Sequence, residues 1–127
     1  MGLARETTAA MAGQIEKTFT ERGSVYGEPE DNFANIAAFW NAWINARFQK
    51  QQECLTKAGL TAITLDGADV GHMSALIKKA RLANSPDHTD SALDDAVYTL
   101  LAHGVALGLA KPIYEVPEST FIGDSVG

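Results

Sequence analysis

Pro29-Glu-Asp-Asn-Phe-Ala-Asn-Ile-Ala-Ala-Phe-Trp-Asn-Ala-Trp-Ile-Asn-Ala-Arg-Phe48 is the most strongly periodic stretch of the chain. Phe33, Ile36, Ala37, Trp40, Trp43, Ile44 and Phe48 recur at helical spacing, so they share one stripe of a helix. Pro29 suits the first helical turn because its φ is already helical. Glu30 and Asp31 complement the positive end of the dipole. The pattern carries on to Lys57-Ala-Gly59, where glycine offers a stop. A helix is therefore expected over 29–57, with Trp40 and Trp43 in the core.

Upstream, Met11, Ile15 and Phe19 recur at spacing four and predict a helix over 7–22, stopped by Gly23. Downstream, Leu60 to Thr64 is a short β-branched stretch and reads as a linker. Asp66 then caps a third helix over 66–84, with Asp69 three residues on. Its apolar side is Val70, Met73, Leu76, Ile77 and Ala80. The fourth helix is expected over 89–109, with Leu93, Val97, Leu100, Leu101 and Val105 inward and Lys111-Pro112 as its stop. Residues 113–127, with Pro117, predict an extended tail that packs on the body or on a partner. The whole, 1–127, is expected to be a single all-α domain, a four-helix bundle-like fold with an extended C-terminal tail.

Composition narrows the function classes. In 127 residues, 46% are apolar, enough to bury a core without disulfides. Charged residues are 20%, which argues against disorder. The net charge of −6 disfavours nucleic acid and anionic membrane as partners, while leaving room for a local basic pocket. Cys54 is the single cysteine, so no intramolecular disulfide forms, which fits a reducing compartment. With no histidine near it in sequence, Cys54 reads as an inert thiol. Met1 to Thr8 has no apolar signal-peptide core, and no apolar run is expected to reach the length of a membrane span. A cytoplasmic protein is expected.

The informative residues are polar groups on apolar faces. At roughly 100° per residue, Asp95 points away from the arc of Leu93, Val97, Leu101 and Val105, whereas Asp90 and Asp94 fall within it. Two stacked carboxylates on a core face need compensation. Asp90 as an N-cap and Asp94 against a neighbouring donor would supply it; so would a divalent metal or a polar ligand. On the third helix Lys79 faces out, while Arg81, flanked by Lys78 and Ser74, borders the apolar face. Arg81 then either bridges to Asp94 or Asp90, or clamps a phosphate. Between the first two helices, Arg22, Tyr26, Gly27, Glu28 and Asn32 form either a capped turn or a ligand loop, with Asn32 on the apolar side. His72, His88 and His103 lack metal-ligand spacing, and there is no P-loop, nucleotide fingerprint or zinc pattern.

Three blocks together, Arg22-Gly-Ser-Val-Tyr-Gly-Glu-Pro-Glu-Asp-Asn32, Lys78-Lys-Ala-Arg81-Leu-Ala-Asn-Ser-Pro and Asp90-Ser-Ala-Leu-Asp94, resemble a family of small uncharacterised phage and prophage proteins, over roughly Arg22 to Leu107. More distantly, the helical plan is similar to the all-α nucleoside triphosphate pyrophosphohydrolases of the MazG and dimeric dUTPase type. That group's Glu-x-x-Glu pattern is not evident here, and Asp90-x-x-x-Asp94 does not match its Glu-x-x-Asp. The resemblance implies a nucleotide or other phosphate ligand, with Mg²⁺ held by Asp90 and Asp94, and by Glu28. It implies Lys78 and Arg81 on phosphate, Arg22 at the ligand, Tyr26 and Asn32 at the base or ordering the loop, and a homodimer or higher homo-oligomer in the cytoplasm of a bacterial host. If catalytic, with Asp94 and Asp90 at the centre, the reaction is metal-assisted attack of water on a phosphoanhydride. The rival expectation is a non-catalytic module that sequesters a nucleotide signal or inhibits a host protein.

Overall fold

The computed structural model describes residues 2–26 and 28–110; of residues 22–26 and 110 the backbone alone is described. These residues are all-helical, with no strand among them. Five helices follow in order: α1 (Leu3–Tyr26), α2 (Pro29–Arg47), α3 (Gln49–Lys57), α4 (Gly67–Asn84) and α5 (Thr89–Ala110). The expected tail over 113–127 lies outside the described residues.

Two expected boundaries are corrected. Gly23 does not stop the first helix, which continues to Tyr26. A glycine inside a helix weakens it by only about 1 kcal/mol, which the flanking turns can absorb. The expected helix over 29–57 is divided at Phe48, where φ is −115° and ψ is 35°. The turn accompanies a set of side-chain bonds rather than a breaker residue. Gln52 is buried, and its Nε2 donates to Asn45 Oδ1 at 3.0 Å and to the Ile63 carbonyl at 2.8 Å. Its Oε1 accepts from Ile63 N–H at 2.9 Å. Asn41 does the same for Leu65, donating at 2.9 Å and accepting at 2.7 Å. Two amides thus pair with alternate residues of the segment between α3 and α4, standing in for a neighbouring strand.

Helix ends follow their sequences closely. Gly59 takes φ 80° after α3, and the bonds Leu60 N–H to Leu55 O (2.9 Å) and Gly59 N–H to Thr56 O (3.1 Å) make a Schellman motif. Asp66 and Asp69 form the expected capping box at the start of α4.

The dominant packing is between α4 and α5, an antiparallel pair. Their contact is made by small residues. A Cβ added at Gly71 would lie 2.6 Å from Ala102 Cβ and 2.9 Å from its Cα. One added at Gly67 would lie 3.2 Å from both Phe33 Cβ and Val105 Cγ1. Phe33 and Ala37 of α2 close the core over Val70 and Val105, with Ile36, Trp40, Tyr98 and Leu101 half-buried around them.

This geometry rotates the inner faces by about a third of a turn from those read in the sequence, with Val70 and Val105 inside as expected. On α4 the buried side is Gly67, Val70, Gly71 and Ala75, whereas Met73, Leu76 and Ile77 are exposed. On α5 it is Ser91, Asp95, Ala102 and Val105; Leu93, Val97 and Leu101 are half-buried, and Leu100 is 55% exposed. On α2, Trp43 is not core but 67% exposed. Backbones this close leave no room for leucine between them, so the bulky residues turn outward. Among the described residues α5 alone reaches the length and composition of a membrane span, and only weakly: mean hydropathy is 1.2 over its most apolar 18 residues, so no clear span is present.

The seam at Gly71 is directly testable. Gly71→Ala should destabilise the chain by about 1–3 kcal/mol, because a methyl group there meets backbone and must push the helices apart. Gly13→Ala on α1, with nothing within 4 Å of its added Cβ, should instead add up to about 1 kcal/mol of helix stability. Chemical denaturation followed by circular dichroism measures both; equal effects would contradict the close crossing.

Candidate functional site at the α4–α5 seam

Towards the loop that joins the two helices, the small residues of the seam give way to charge. Lys78 and Lys79 stand on α4, Asp94 and Asp95 on α5. Lys78 Nζ lies 3.1 Å from Asp94 Oδ2, and Lys79 Nζ lies 2.6 Å from Asp95 Oδ2. Consecutive helical residues point about 100° apart, so the two pairs sit at different depths. The Lys78 side chain is mostly buried, against 37% exposure for Asp94. In the other pair Asp95 is the inner partner, with the residue 9% exposed, and Lys79 the outer one at 61%. Asp95 Oδ1 is buried and has no hydrogen-bond partner. A carboxylate oxygen in that position forgoes hydration without replacement.

Next to the pairs, the buried Ser91 faces His88. The Ser91 backbone N–H donates to His88 Nδ1 at 3.2 Å, and Ser91 Oγ lies 2.8 Å from the same nitrogen. His88 thereby covers a free N–H in the first turn of α5, a capping role.

Several expected site residues are placed differently from the sequence reading. Asp95, expected to face solvent, is the buried acid, and Asp94 is half-exposed. Asp90 is exposed in the first turn of α5. Arg81 is exposed and bridges to neither Asp94 nor Asp90; the lysines take the acids instead. The reason is the rotated inner face: the helix side carrying Ser74 and Lys78 meets α5, and that turns Arg81 outward. Asn32 is also exposed, not on the apolar side, and Glu28 is exposed at the start of α2. The side chains of Arg22 and Tyr26, and all of Gly27, lie outside the described residues. Among the described residues no three His, Cys, Asp or Glu side chains converge as ligands of one ion, so Glu28, Asp90 and Asp94 are not gathered into one centre.

The sequence reading thus missed Lys79, Asp95 and Ser91. One signal was present. Gly67, Gly71, Ser74 and Lys78 on α4, and Ser91, Asp95, Tyr98, Ala102 and Val105 on α5, each recur at alternating spacings of three and four. A heptad row of small residues marks a close helix crossing even where larger apolar residues line another face.

The buried pair predicts an asymmetry. Lys79→Met leaves the Asp95 carboxylate buried without its cation and should destabilise the chain by about 1–3 kcal/mol. Asp95→Asn removes the buried charge and leaves a lysine already open to water, so its loss should be smaller. Urea titrations of both variants and of the double variant test the ordering; a larger loss for Asp95→Asn would contradict it.

Residues 11–106 match the family model DUF6378, a domain of unknown function. No curated protein and no solved structure gives a significant match. The match covers most of the chain, including α2, α3, α4 and the paired charges of α5, and the chain therefore belongs to the DUF6378 family.

Proposed function

We propose that this chain is a phage-type nucleotide- or phosphate-ligand-binding protein, acting on nucleoside triphosphates as a Mg²⁺-dependent pyrophosphohydrolase in the cytoplasm of a bacterial host. The observation that supports this reading is the half-exposed Lys78–Asp94 pair beside the Asp95 oxygen that has no partner. An ion pair at the solvent boundary can be exchanged like for like. A magnesium phosphate would bring a cation to the carboxylates and an anion to the ammonium groups, leaving no charge uncompensated. Mg²⁺ is held by one or two carboxylates together with substrate phosphates, so a seam without three converging acids fits such a ligand.

Asp94 and Asp90 stand four apart on α5, and Lys78 and Arg81 three apart on α4, so each pair shares a helix edge. In this reading Asp94, beside Asp90 on the same edge of α5, holds the ion together with the phosphates of the ligand, and Lys78 and Arg81 hold phosphate. Arg22 would also meet the ligand, and Tyr26 with Asn32 would contact the base or order the loop. Mg²⁺, when bound, supplies polarisation of the phosphoanhydride for attack by water. The protein's part is to place the phosphates and to keep one carboxylate, Asp95, at the inner edge of the site.

A second reading follows from the same count of acids. A two-metal hydrolase draws on more carboxylates than converge among the described residues. A non-catalytic module would need only the exchangeable pair and would release its ligand unaltered, as a sponge for a nucleotide signal or an inhibitor of a host protein does.

A nucleotide panel scored by thermal shift, with and without Mg²⁺, tests both. A ligand at a hundred times its Kd should stabilise the fold by about 2.7 kcal/mol, and only with Mg²⁺. Asp94→Asn should abolish that response with helix content unchanged. Hydrolysis that tracks Asp94 marks an enzyme, and binding of an unaltered ligand marks a module. No response to any nucleotide or inorganic phosphate would reject both readings.

A further inference from the structure

The α5 helix carries two rows at heptad spacing, and the described residues cover only one. The inner row, Ser91, Asp95, Tyr98, Ala102 and Val105, lies against α4 and the core. The outer row, Leu93, Val97, Leu100, Gly104 and Leu107, follows the same alternation of four and three on the other side of the helix. Leu100 and Leu107 in this row are exposed, and α1 makes only slight contact with α5. From Ala96 to Leu109 the helix has no charged side chain on any side, apart from the titratable His103, and a stretch of that kind is ordinarily covered. Yet only 11% of the most apolar window of α5 is buried within the chain.

We propose that this outer row is the surface on which a second copy of the chain docks, α5 against α5 across a two-fold axis. The inference deepens the expectation of a homo-oligomer and is independent of the ligand. Four observations support that occupant. First, among the described residues the fully buried apolar side chains larger than alanine are Phe33, Val70 and Val105. A chain with so small a core lacks what an obligate homodimer interface provides, the other half of a divided core. Second, Ala96 to Leu109 contains no Asp, Glu, Lys or Arg, so this face is free of the charge that otherwise sets two copies of a −6 chain against each other.

Third, that uncharged stretch is about 21 Å long at 1.5 Å per residue, short of the roughly 30 Å of a bilayer core, and Asp94 and Asp95 precede it. This favours a protein partner over a lipid one. Fourth, the row is complementary to itself. Gly104 opens a notch between Leu100 and Leu107, with nothing within 4 Å of an added Cβ. Mid-helix glycine weakens a helix, and nothing among the described residues fills this space, whereas at Gly71 the same vacancy admits α4 against α5. A leucine from a partner's row fits such a notch as a knob fits a hole.

The test uses the full chain. Sedimentation velocity should show a dimer at about 10 µM, a concentration at which weak micromolar pairs are already populated. The double variant Leu100→Glu with Leu107→Glu should keep its helicity and weaken dimerisation by about a hundredfold or more. The variant Ile77→Glu, on the exposed face of α4, should leave dimerisation unchanged. As a second readout, Leu107→Cys in a Cys54→Ser background should react with a thiol reagent quickly when dilute and slowly when concentrated. This readout decides the matter if the double variant fails to fold. A monomeric wild type at that concentration, with or without binding to neutral lipid vesicles, would overturn the oligomer reading and this face with it. The face alone would be overturned by a wild-type dimer that survives the double variant or dissociates with Ile77→Glu. Labelling of the Leu107→Cys variant at a rate independent of protein concentration would overturn it equally.

Discussion

The α4–α5 pair rests on the close passage of α4 over Ala102 at Gly71. A methyl group on Gly71 would stand 2.6 Å from Ala102 Cβ, so the two backbones are as near as glycine allows. That approach fixes the antiparallel register: Gly67 beside Val105, Gly71 beside Ala102, Lys78 beside Asp94 and Lys79 beside Asp95. It also decides what the seam can hold. Side chains between close helices must be small or must lie along the seam, so the chain places glycine, alanine and serine at the crossing and extended lysines at its end. Leucine and methionine have no place there and turn outward.

The electrostatics follow from the same register. Because neighbouring residues on each helix diverge, the two Lys–Asp pairs have opposite polarity with respect to solvent. In one the cation is inside and the acid outside; in the other the acid is inside and the cation outside. A solvated lysine cannot fully compensate a carboxylate oxygen that faces protein, and Asp95 Oδ1 is left without a partner. Unmet acceptor capacity of this kind is unfavourable for folding alone and is commonly tied to a role in binding or chemistry.

Elsewhere, side-chain amides do the work that a core does in larger domains. Asn41 and Gln52 each pair with both backbone groups of one residue in the segment before α4. The segment is held by hydrogen bonds satisfied on both sides, which set where α4 begins. The Asp66–Asp69 box then starts α4 at that point. The position of the α4–α5 pair relative to α2 thus depends on polar contacts as well as on Phe33 and Ala37.

By itself the sequence determined the local structure. Pro29 at a helix start, the Asp66–Asp69 box, Gly59 as a stop, and periodic apolar residues throughout made the all-α class and most of the helix positions readable, because caps and periodicity act within a few residues of chain. It also pointed to Lys78 and Asp94 as unusual charges, although not to each other. Tertiary structure alone decided which face of each helix is inside. On α4 and α5 the most apolar arc reads as the inner one, by the ordinary rule that bulk is buried. The rule failed because Gly71 lets the helices meet through their smallest residues, which places Asp95 in the seam, turns Arg81 to solvent and leaves Leu100 and Leu107 uncovered. A helix's own periodicity reports that it has distinct faces; only the distance to its neighbour determines which face the neighbour meets.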